Sequence, residues 1–390
     1  MQTFFLEAMR ANTPMKTTKS VKKTSISTYI KTASFYGFSS AITHVKDFTL
    51  SKTDITKGKN AAEKVALIRL FIEKKMSTLP QPAMIYYKTL LPDQHTFNLD
   101  IIGNPKSIAD AILIETSYII AKEEHTGTDI SVELNTLGDR ESMKRLEREL
   151  QSFYRKNWSS VPKSLQPIYK KDIFESFRAT EPVAVDLRML GPDPIRCLSE
   201  HSRLHFKEVL DYIENLGIPY SINHSLLGDP SFGSETVFVI ISTNSKGERK
   251  IIAKGQRYNS VAKKFFNKKE IPSIGSEICI KKETFTCESD PTIKEIKPKF
   301  FFIQLSFEAK LQSLQLLETL RKARMGVFQS LTKDKMTAQL SQAEKMEIPY
   351  VIIMGKKEAL DGTVLVRNME TRCQDTVYLH ELIDYIKKLK

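Results

Sequence analysis

Two histidines spaced four residues apart are the clearest candidates for metal chemistry in this sequence. His201 and His205 fall on one face of a predicted helix, and two imidazoles at that spacing can bind one metal ion. No third ligand is placed near them in the pattern, and the four cysteines form no Cys-x-x-Cys pair. We therefore expect no metal site and no disulfide framework, and the cysteine usage fits a reducing, cytoplasmic compartment.

The binding of phosphate groups would require glycines and cations. The sequence contains few glycines but many cations. It contains only 15 glycines in 390 residues, whereas loops that hold phosphate need glycine for close backbone approach. The net charge is +13, which favours a polyanion partner, although a lysine-rich composition alone would give the same value. Five cations around one predicted helix end and the following loop are candidate RNA-binding residues, with a solvated face as the alternative. They are Arg321, Lys322, Arg324, Lys333 and Lys335.

Length and composition place the chain among soluble, multidomain proteins. A chain of 390 residues predicts two or three domains, and 41% hydrophobic with 27% charged residues is typical of globular proteins. The sequence lacks an apolar run of about 18 residues, so we expect no membrane segment.

Composition shifts divide the chain into four predicted parts. The stretch ETFTCESDPTIKEIKP mixes acids, threonine and proline and is the predicted linker, and the segment after strand SVELNTLG contains several prolines. The predicted parts are a basic flexible arm (1–25), a core (26–282) with a loop-rich insertion (about 139–196), a linker (283–298) and a small α/β domain (299–390).

Hydrophobic periodicity places strands and helices in both large parts. It predicts AMIYYKTLL and TFNLDIIG as strands of the core, residues 105–123 and 200–215 as helices, and VFVIISTN with RKIIAKG as a hairpin. After the linker, short apolar strands such as FFFIQLS, YVIIMG and TVLVRNM alternate with helices, which predicts a mixed or parallel sheet.

The C-terminal part carries a specific family resemblance. The order of a helix beginning AQL, then PYVIIMG, GTVLVRNMET and ELIDYI is similar to the anticodon-binding domain of histidyl-tRNA synthetases. Upstream, STLPQPAMIYY, HTFNLDIIG, ELNTLGD and CLSEHSRLHFKEVLDYIENLGIPYSIN resemble the same family in the same order. The resemblance implies an α+β fold: a class II synthetase-like antiparallel sheet core with flanking helices, followed by a small α/β anticodon-binding domain. It also implies a homodimer.

The catalytic positions depart from the family pattern. The family's histidine-specific loop RGLDYY aligns with GDPSFG, so that Gly228 stands at the catalytic arginine and Ser231 replaces the aspartate. In the third class II motif, Lys282 occupies the ATP-contacting arginine position, and lysine keeps the charge without the planar fork. The connection KTLLPDQ, where the second motif belongs, contains no arginine.

A residual ligand pocket is expected near the family's GGGRYDG element, which aligns with AKGQRYNS. Arg257 and Tyr258 are retained there, and we expect them to line the pocket together with His95. Gln256 replaces a glycine, and its side chain would block close backbone contact with a ligand.

Three functions are compatible with this pattern. The leading hypothesis is a catalytically impaired synthetase-like dimer that binds tRNA or a tRNA-like RNA or acts in regulation, with no cofactor. The second is a divergent, active histidine–tRNA ligase that uses ATP and Mg²⁺, with Lys254, Lys281 or Lys282 supplying the phosphate charge. The third is an accessory or regulatory subunit that binds another enzyme.

Overall fold

A computed structural model of the chain describes most of the residues. The described ranges are 26–41, 61–79, 82–90, 95–179, 181–229, 232–281 and 298–389. The predicted arm lies outside them, as does the predicted linker apart from its last residue. Lys282 and Ser231 also lie outside. Among the described helices, none combines the length and the apolarity that crossing a membrane requires.

The N-terminal part consists of helices around one large sheet. Its strands are β1 (Ser39–Ser40), β2 (Ala83–Leu90), β3 (His95–Ile102), β4 (Asp129–Thr136), β5 (Tyr220–Ile222), β6 (Ser234–Thr243), β7 (Arg249–Arg257) and β8 (Ser273–Ile280). Its helices are α1 (Ile26–Phe35), α2 (Ala62–Glu73), α3 (Ser107–Glu124), α4 (Arg140–Lys156), α5 (Leu165–Lys171), α6 (Ile173–Phe177), α7 (Pro182–Met189), α8 (Glu200–Asn215) and α9 (Val261–Phe266).

The large sheet has the order β1-β2-β3-β8-β7-β6-β4-β5. The six central strands pair antiparallel, and the short β1 and β5 add parallel pairs at the two edges. The α+β class with an antiparallel core, which the family resemblance implies, is therefore confirmed. The predicted hairpin is β6–β7, whose tip is the turn at Asn244–Gly247.

The pleat of the strands gives the sheet two different faces. In β3, Phe97, Leu99 and Ile101 pack in the largest apolar cluster, together with α1, α3 and α8. Ile102 instead packs against α2 and α9 on the opposite face. Since side chains alternate between faces along a strand, Asn98 also belongs to the α2 face. This face carries the polar residues described below.

The insertion is helical. The sequence predicts one long charged helix from Arg140 to Trp158, which the structure confirms, but the prediction of a loop-rich segment over the rest of 139–196 is wrong. It folds as α4, α5, α6 and α7 with its own apolar cluster, which includes Leu150 and Phe177. Pro182 lies in the first turn of α7, where the missing amide proton costs no hydrogen bond. Asp172 caps α6 by accepting from two backbone amides. The prolines that suggested loops are therefore compatible with helix starts.

The C-terminal part is a five-stranded mixed sheet with helices. Its strands are β9 (Phe300–Gln304), β10 (Val327–Gln329), β11 (Tyr350–Met354), β12 (Thr363–Asn368) and β13 (Gln374–Tyr378). Its helices are α10 (Phe307–Lys322), α11 (Met336–Lys345), α12 (Lys356–Asp361) and α13 (Leu382–Lys388). β10, β9 and β11 are parallel, and β12 and β13 continue antiparallel, so the sheet is mixed, which is one of the two predicted alternatives.

Specific polar contacts join the two parts. The side-chain amide of Asn104, just before α3, donates to the carbonyl of Leu331 at 3.2 Å. Lys106 pairs with Asp334 at 2.7 Å. Apolar residues of α8 and α10 pack in one shared cluster, so the contact is more than a pair of hydrogen bonds.

A buried carboxyl group lies at the centre of this junction. The hydroxyl of Tyr36 is 3.0 Å from Glu115 Oε1 in α3 and 3.1 Å from Glu318 Oε2 in α10. One phenol has one proton to donate, so one of the two carboxyls must be protonated for both contacts to be hydrogen bonds. Burial raises the pKa of Glu115 to about 8. By contrast, Arg321 and Tyr36 hold the pKa of Glu318 below its usual range, against the effect of burial.

The raised pKa of Glu115 predicts that the free energy of unfolding depends on pH. In the unfolded chain the group ionises near pH 4.5, and in the folded chain near pH 8. The stability that the protonated form contributes is therefore complete below pH 4.5 and is lost as pH rises towards 8. The loss should be at most about 1.4 kcal/mol per pH unit.

Urea unfolding between pH 5.5 and 8.5 tests this expectation. Glu115→Gln should flatten the pH dependence, whereas the exposed Glu344→Gln should follow the wild type. An unchanged slope in Glu115→Gln would contradict the assignment of the proton to Glu115.

Candidate functional site

Polar side chains collect on the α2 face of the large sheet. Asn98 and Asp100 alternate with apolar residues in β3, and both are buried. Across the sheet, Asn98 is paired with Tyr87 of β2 and Asp100 with Gly275 of β8. Burying polar groups costs free energy unless each is hydrogen-bonded, so this face requires partners for them.

The main partner of Asp100 is Lys64, from the first turn of α2. The Lys64 ammonium lies 2.7 Å from Asp100 Oδ1 and 2.9 Å from Oδ2. Tyr258 Oη donates to Asp100 Oδ1 at 2.7 Å. Burial raises the pKa of Asp100 to about 6, even though Lys64 and Tyr258 lower it. At neutral pH the carboxylate is therefore ionised and paired.

Lys64 and Asp100 were not among the residues predicted from the sequence. A usable signal was present in TFNLDIIG, where a polar residue and an acid occupy alternate positions of a strand that is otherwise apolar. Neighbouring Glu63 belongs to the same group, because it accepts hydrogen bonds from Tyr87 at 3.1 Å and Thr89 at 2.8 Å.

Gly228, at the expected arginine position, lies against Gln256. The backbone amide of Asp229 donates to Gln256 Oε1 at 2.7 Å. A Cβ atom on Gly228 would lie only 2.2 Å from the same Oε1 and 2.9 Å from Val237. Gly228 also has φ of +58°, which glycine adopts without strain. The two departures from the family pattern therefore fit each other, because Gln256 fills the space that a side chain at 228 would need.

Arg257 is a structural cation in this protein. Its side chain is 1% exposed and binds Asp110 of α3 through Nε at 2.9 Å and through Nη2. Nη1 and Nη2 also donate to the carbonyls of Asn104 and Lys106 at 3.0 and 3.1 Å. Burial would raise the pKa of Asp110, but Arg257 and His205 hold it well below its usual range. Arg257 therefore faces α3, away from Gln256.

Two further cations near the Gly228 loop are also paired with acids. Arg178 of the insertion lies 3.7 Å from Asp229, and Lys254 of β7 lies 3.2 Å from Glu277 of β8. Together with the ion pair of Lys64, three cations of this region each have a carboxylate partner. The positive potential available to a bound phosphate is reduced accordingly.

The structure does not place His95, Arg257 and Tyr258 in one pocket, so that part of the prediction is wrong. Along β8, the partner of His95 is Ile280 and that of Arg257 is Ile274, six positions apart, or about 20 Å in a strand. The Arg257 and Tyr258 side chains are also on opposite faces, since Tyr258 packs with α2 and α9. Sequence proximity to a motif did not reveal which face each side chain occupies.

His205 has a structural contact that the sequence did not indicate. Its Nε2 lies 3.3 Å from Asp110 Oδ2 and its side chain is buried, whereas His201 is exposed. Among the described residues, no three His, Cys, Asp or Glu side chains converge as metal ligands.

Arg321, a candidate for RNA binding, takes part in the junction between the two sheets. Its Nε lies 2.7 Å from Glu318, and its Nη1 lies 3.6 Å from Glu123 of α3 and 3.4 Å from Thr32 of α1. Its assignment to an RNA-facing surface is wrong, because the guanidinium points towards the core and is mostly buried.

The remaining four cations form two groups instead of one. Lys322 and Arg324 are exposed at the C-terminal end of α10. Lys333 and Lys335 flank Asp334, which pairs with Lys310 in the first turn of α10. Since a helix rises 1.5 Å per residue, the groups are separated by about 18 Å along α10. The predicted single cluster is therefore wrong.

The fit between Gly228 and Gln256 predicts a coupled response to substitution. Gly228→Ala should lower the free energy of unfolding by about 2–4 kcal/mol, from overpacking and from left-handed strain. In a Gln256→Ala background the cost should fall, because the closest clash is removed. Urea unfolding of the four proteins of this cycle measures the coupling.

A matched control is available in Gly217, which has φ of +64° and no atom within 4 Å of the position that a Cβ atom would take. Gly217→Ala should cost only the left-handed strain, in either background. An equal cost of Gly228→Ala with and without Gln256 would show that the two positions do not depend on each other.

Comparison with known proteins finds relatives along most of the chain. Residues 299–389 match the anticodon binding domain family. The histidine–tRNA ligase of Fervidobacterium nodosum is 27% identical over 280 residues, which cover 71% of this chain and 65% of that protein. The ligase of Desulforamulus reducens is 23% identical over 82% of this chain and 79% of its own length. The apo histidyl-tRNA synthetase of S. aureus has the same fold, with a TM-score of 0.53 and 20% identity over 93% of this chain and 94% of its own. The chain is similar to histidyl-tRNA synthetases along most of its length and has a C-terminal anticodon-binding domain.

Proposed function

We propose that this protein binds tRNA or a tRNA-like RNA through its C-terminal domain and is impaired in aminoacylation. The anticodon-binding domain and the relationship to histidine–tRNA ligases support the RNA partner. The pairing of the local cations with carboxylates supports the impairment, and it is the observation on which the proposal depends.

The described residues around Gly228 fit the triphosphate of ATP poorly. Activation of an amino acid requires cations that stabilise the charge developing on the phosphates. Here Gly228 offers no cation, Asp229 adds a negative charge, and Lys254 is paired with Glu277. Gln256 occupies space beside the loop that a bound ligand would approach. We therefore expect no ATP or Mg²⁺ requirement for the function of the protein.

ATP–pyrophosphate exchange with histidine tests the impairment directly. The purified protein should show no exchange above a no-enzyme control, because loss of one cation alone can slow such chemistry by about 100–1,000-fold. An intact histidyl-tRNA synthetase assayed in parallel confirms that the assay responds. Robust, histidine-dependent exchange by this protein would overturn the impairment.

A divergent active ligase is the second candidate, and the exposure of Lys254 favours it. Its side chain is 64% exposed and can reorient towards a phosphate. The Lys281 ammonium, in contrast, donates to the carbonyl of Glu124 at 3.1 Å. If the protein is active, Lys254→Ala or Lys282→Ala should abolish exchange without unfolding the chain.

RNA binding is expected to depend on the two cation groups of the C-terminal domain. Phosphate contacts release counterions, so the removal of one such contact should weaken binding and reduce the salt slope of log Kd by about 1. Lys322→Gln with Arg324→Gln, and separately Lys333→Gln with Lys335→Gln, should each show this effect in filter binding or fluorescence anisotropy with total tRNA.

The control for these variants removes the same charge elsewhere. Lys246→Gln with Lys250→Gln changes two exposed lysines of the β6–β7 hairpin region. Salt slopes that are the same in all three double variants and in the wild type would contradict a specific RNA surface on the C-terminal domain.

The homodimer implied by the family is part of the proposal, and sedimentation equilibrium measures it.

A further inference from the structure

The Lys64 ammonium is enclosed by a cage of aromatic and acidic groups. Besides the two oxygens of Asp100, it lies 3.5 Å from Tyr87 Oη. It is also 5.9 Å from the centre of the Tyr87 ring and 5.4 Å from that of Tyr258. Both ring distances are within the range of cation–π attraction. A lysine on a helix surface would usually extend into water, whereas this side chain is only 19% exposed.

The walls of the cage are held in place by contacts that do not involve Lys64. Tyr258 donates to Asp100, and Tyr87 donates to Glu63. Asp100 is completely buried, and its position follows from the strand pairing of β3. The cage is therefore a preorganised site whose rings and carboxylate come from separate segments of the chain.

Gly275 provides the room for the ammonium group. A Cβ atom at this position would lie 2.0 Å from Asp100 Oδ1 and 2.6 Å from Lys64 Nζ. Any side chain there would displace the ion pair. A glycine with this surrounding is consistent with a small cavity beside the carboxylate, which the lysine fills.

We propose that this cage is a binding site for a primary ammonium group and that Lys64 is its covalently attached occupant. The biological meaning of this site rests on the impaired function proposed above. To bind there, a free amine, including the amino group of an amino acid, must displace Lys64. A tethered group competes at an effective concentration in the millimolar range. Free amines should therefore bind the wild type weakly.

The number and type of contacts select a primary ammonium over other cations. The two Asp100 oxygens and Tyr87 Oη can accept the three protons of one ammonium group. A quaternary ammonium has no proton to donate. A guanidinium is planar and needs a wider site for its five donors.

Removal of the Lys64 side chain should convert the cage into a site for a free ligand. Lys64→Ala deletes Cγ, Cδ, Cε and Nζ, which are the heavy atoms of propylammonium. We expect propylammonium chloride to bind this variant at millimolar concentration in isothermal titration calorimetry and to raise its Tm. Binding to the wild type should be at least tenfold weaker. Propanol and tetramethylammonium chloride at the same concentrations and ionic strength should have no such effect.

Two further variants distinguish a specific ammonium site from a nonspecific cavity. Lys64→Met keeps an unbranched chain that is one atom shorter and uncharged, so it should fill most of the cavity and bind no propylammonium. Lys64→Ala with Asp100→Asn should lose the binding because the counter-charge is gone. Equal binding of propanol and propylammonium by Lys64→Ala, or retention of binding in the double variant, would overturn the proposal.

The outcome remains decisive if Lys64→Ala is poorly folded. In that case refolding in propylammonium, and not in propanol, supports the site, whereas failure to refold in every additive overturns it. The test is also distinct from that of the proposed function. A wild type that catalyses exchange would refute the impairment without changing what propylammonium does to Lys64→Ala.

Discussion

One buried guanidinium links the main parts of this protein. Arg257, at the end of β7, has almost no access to water, and an unpaired buried charge would be strongly destabilising. It is paired with Asp110 in the first turn of α3 and binds the carbonyls of the loop before that helix. The same loop holds the C-terminal domain, through Asn104 and Leu331 and through Lys106 and its carboxylate partner. The sheet, the helix and the second domain therefore share one electrostatic anchor.

One face of the large sheet carries contacts that hold the fold together, and the other face carries the candidate site. Arg257 faces α3, while the adjacent Gln256 faces the Gly228 loop, because neighbouring residues of a strand point in opposite directions. Arg257 thus maintains the fold, whereas Gln256 lies at the candidate site. Substitutions on the site face can therefore leave the scaffold contacts of the other face in place. The pairing of Lys64 with Asp100 continues the same trend, since a cation and an acid that could contact a ligand contact each other.

The junction between the domains uses residues that would look like surface charges in an isolated domain. Arg321 is paired with Glu318 of its own helix and reaches Glu123 of the core. Tyr36 joins this group from the turn after α1 and lies between Glu318 and the buried Glu115. Charges placed in such a junction are partly removed from water, so their interactions with each other are stronger than on an open surface. The orientation of the C-terminal domain, and with it the direction of any RNA surface, follows from these contacts.

The α+β class was predicted from the family resemblance. Hydrophobic periodicity predicted most long helices and strands, because periodicity over segments such as 105–123 or 200–215 is a local property. It failed in the insertion, where prolines mark helix starts as readily as loops. Which charges face each other could be learned only from the folded chain. Lys64 and Asp100 are separated by 36 positions and Arg257 and Asp110 by 147, so strand order and pleat bring them together. Residue types show that a cation or an acid is present, but only the packing of strands and helices selects its partner and its face.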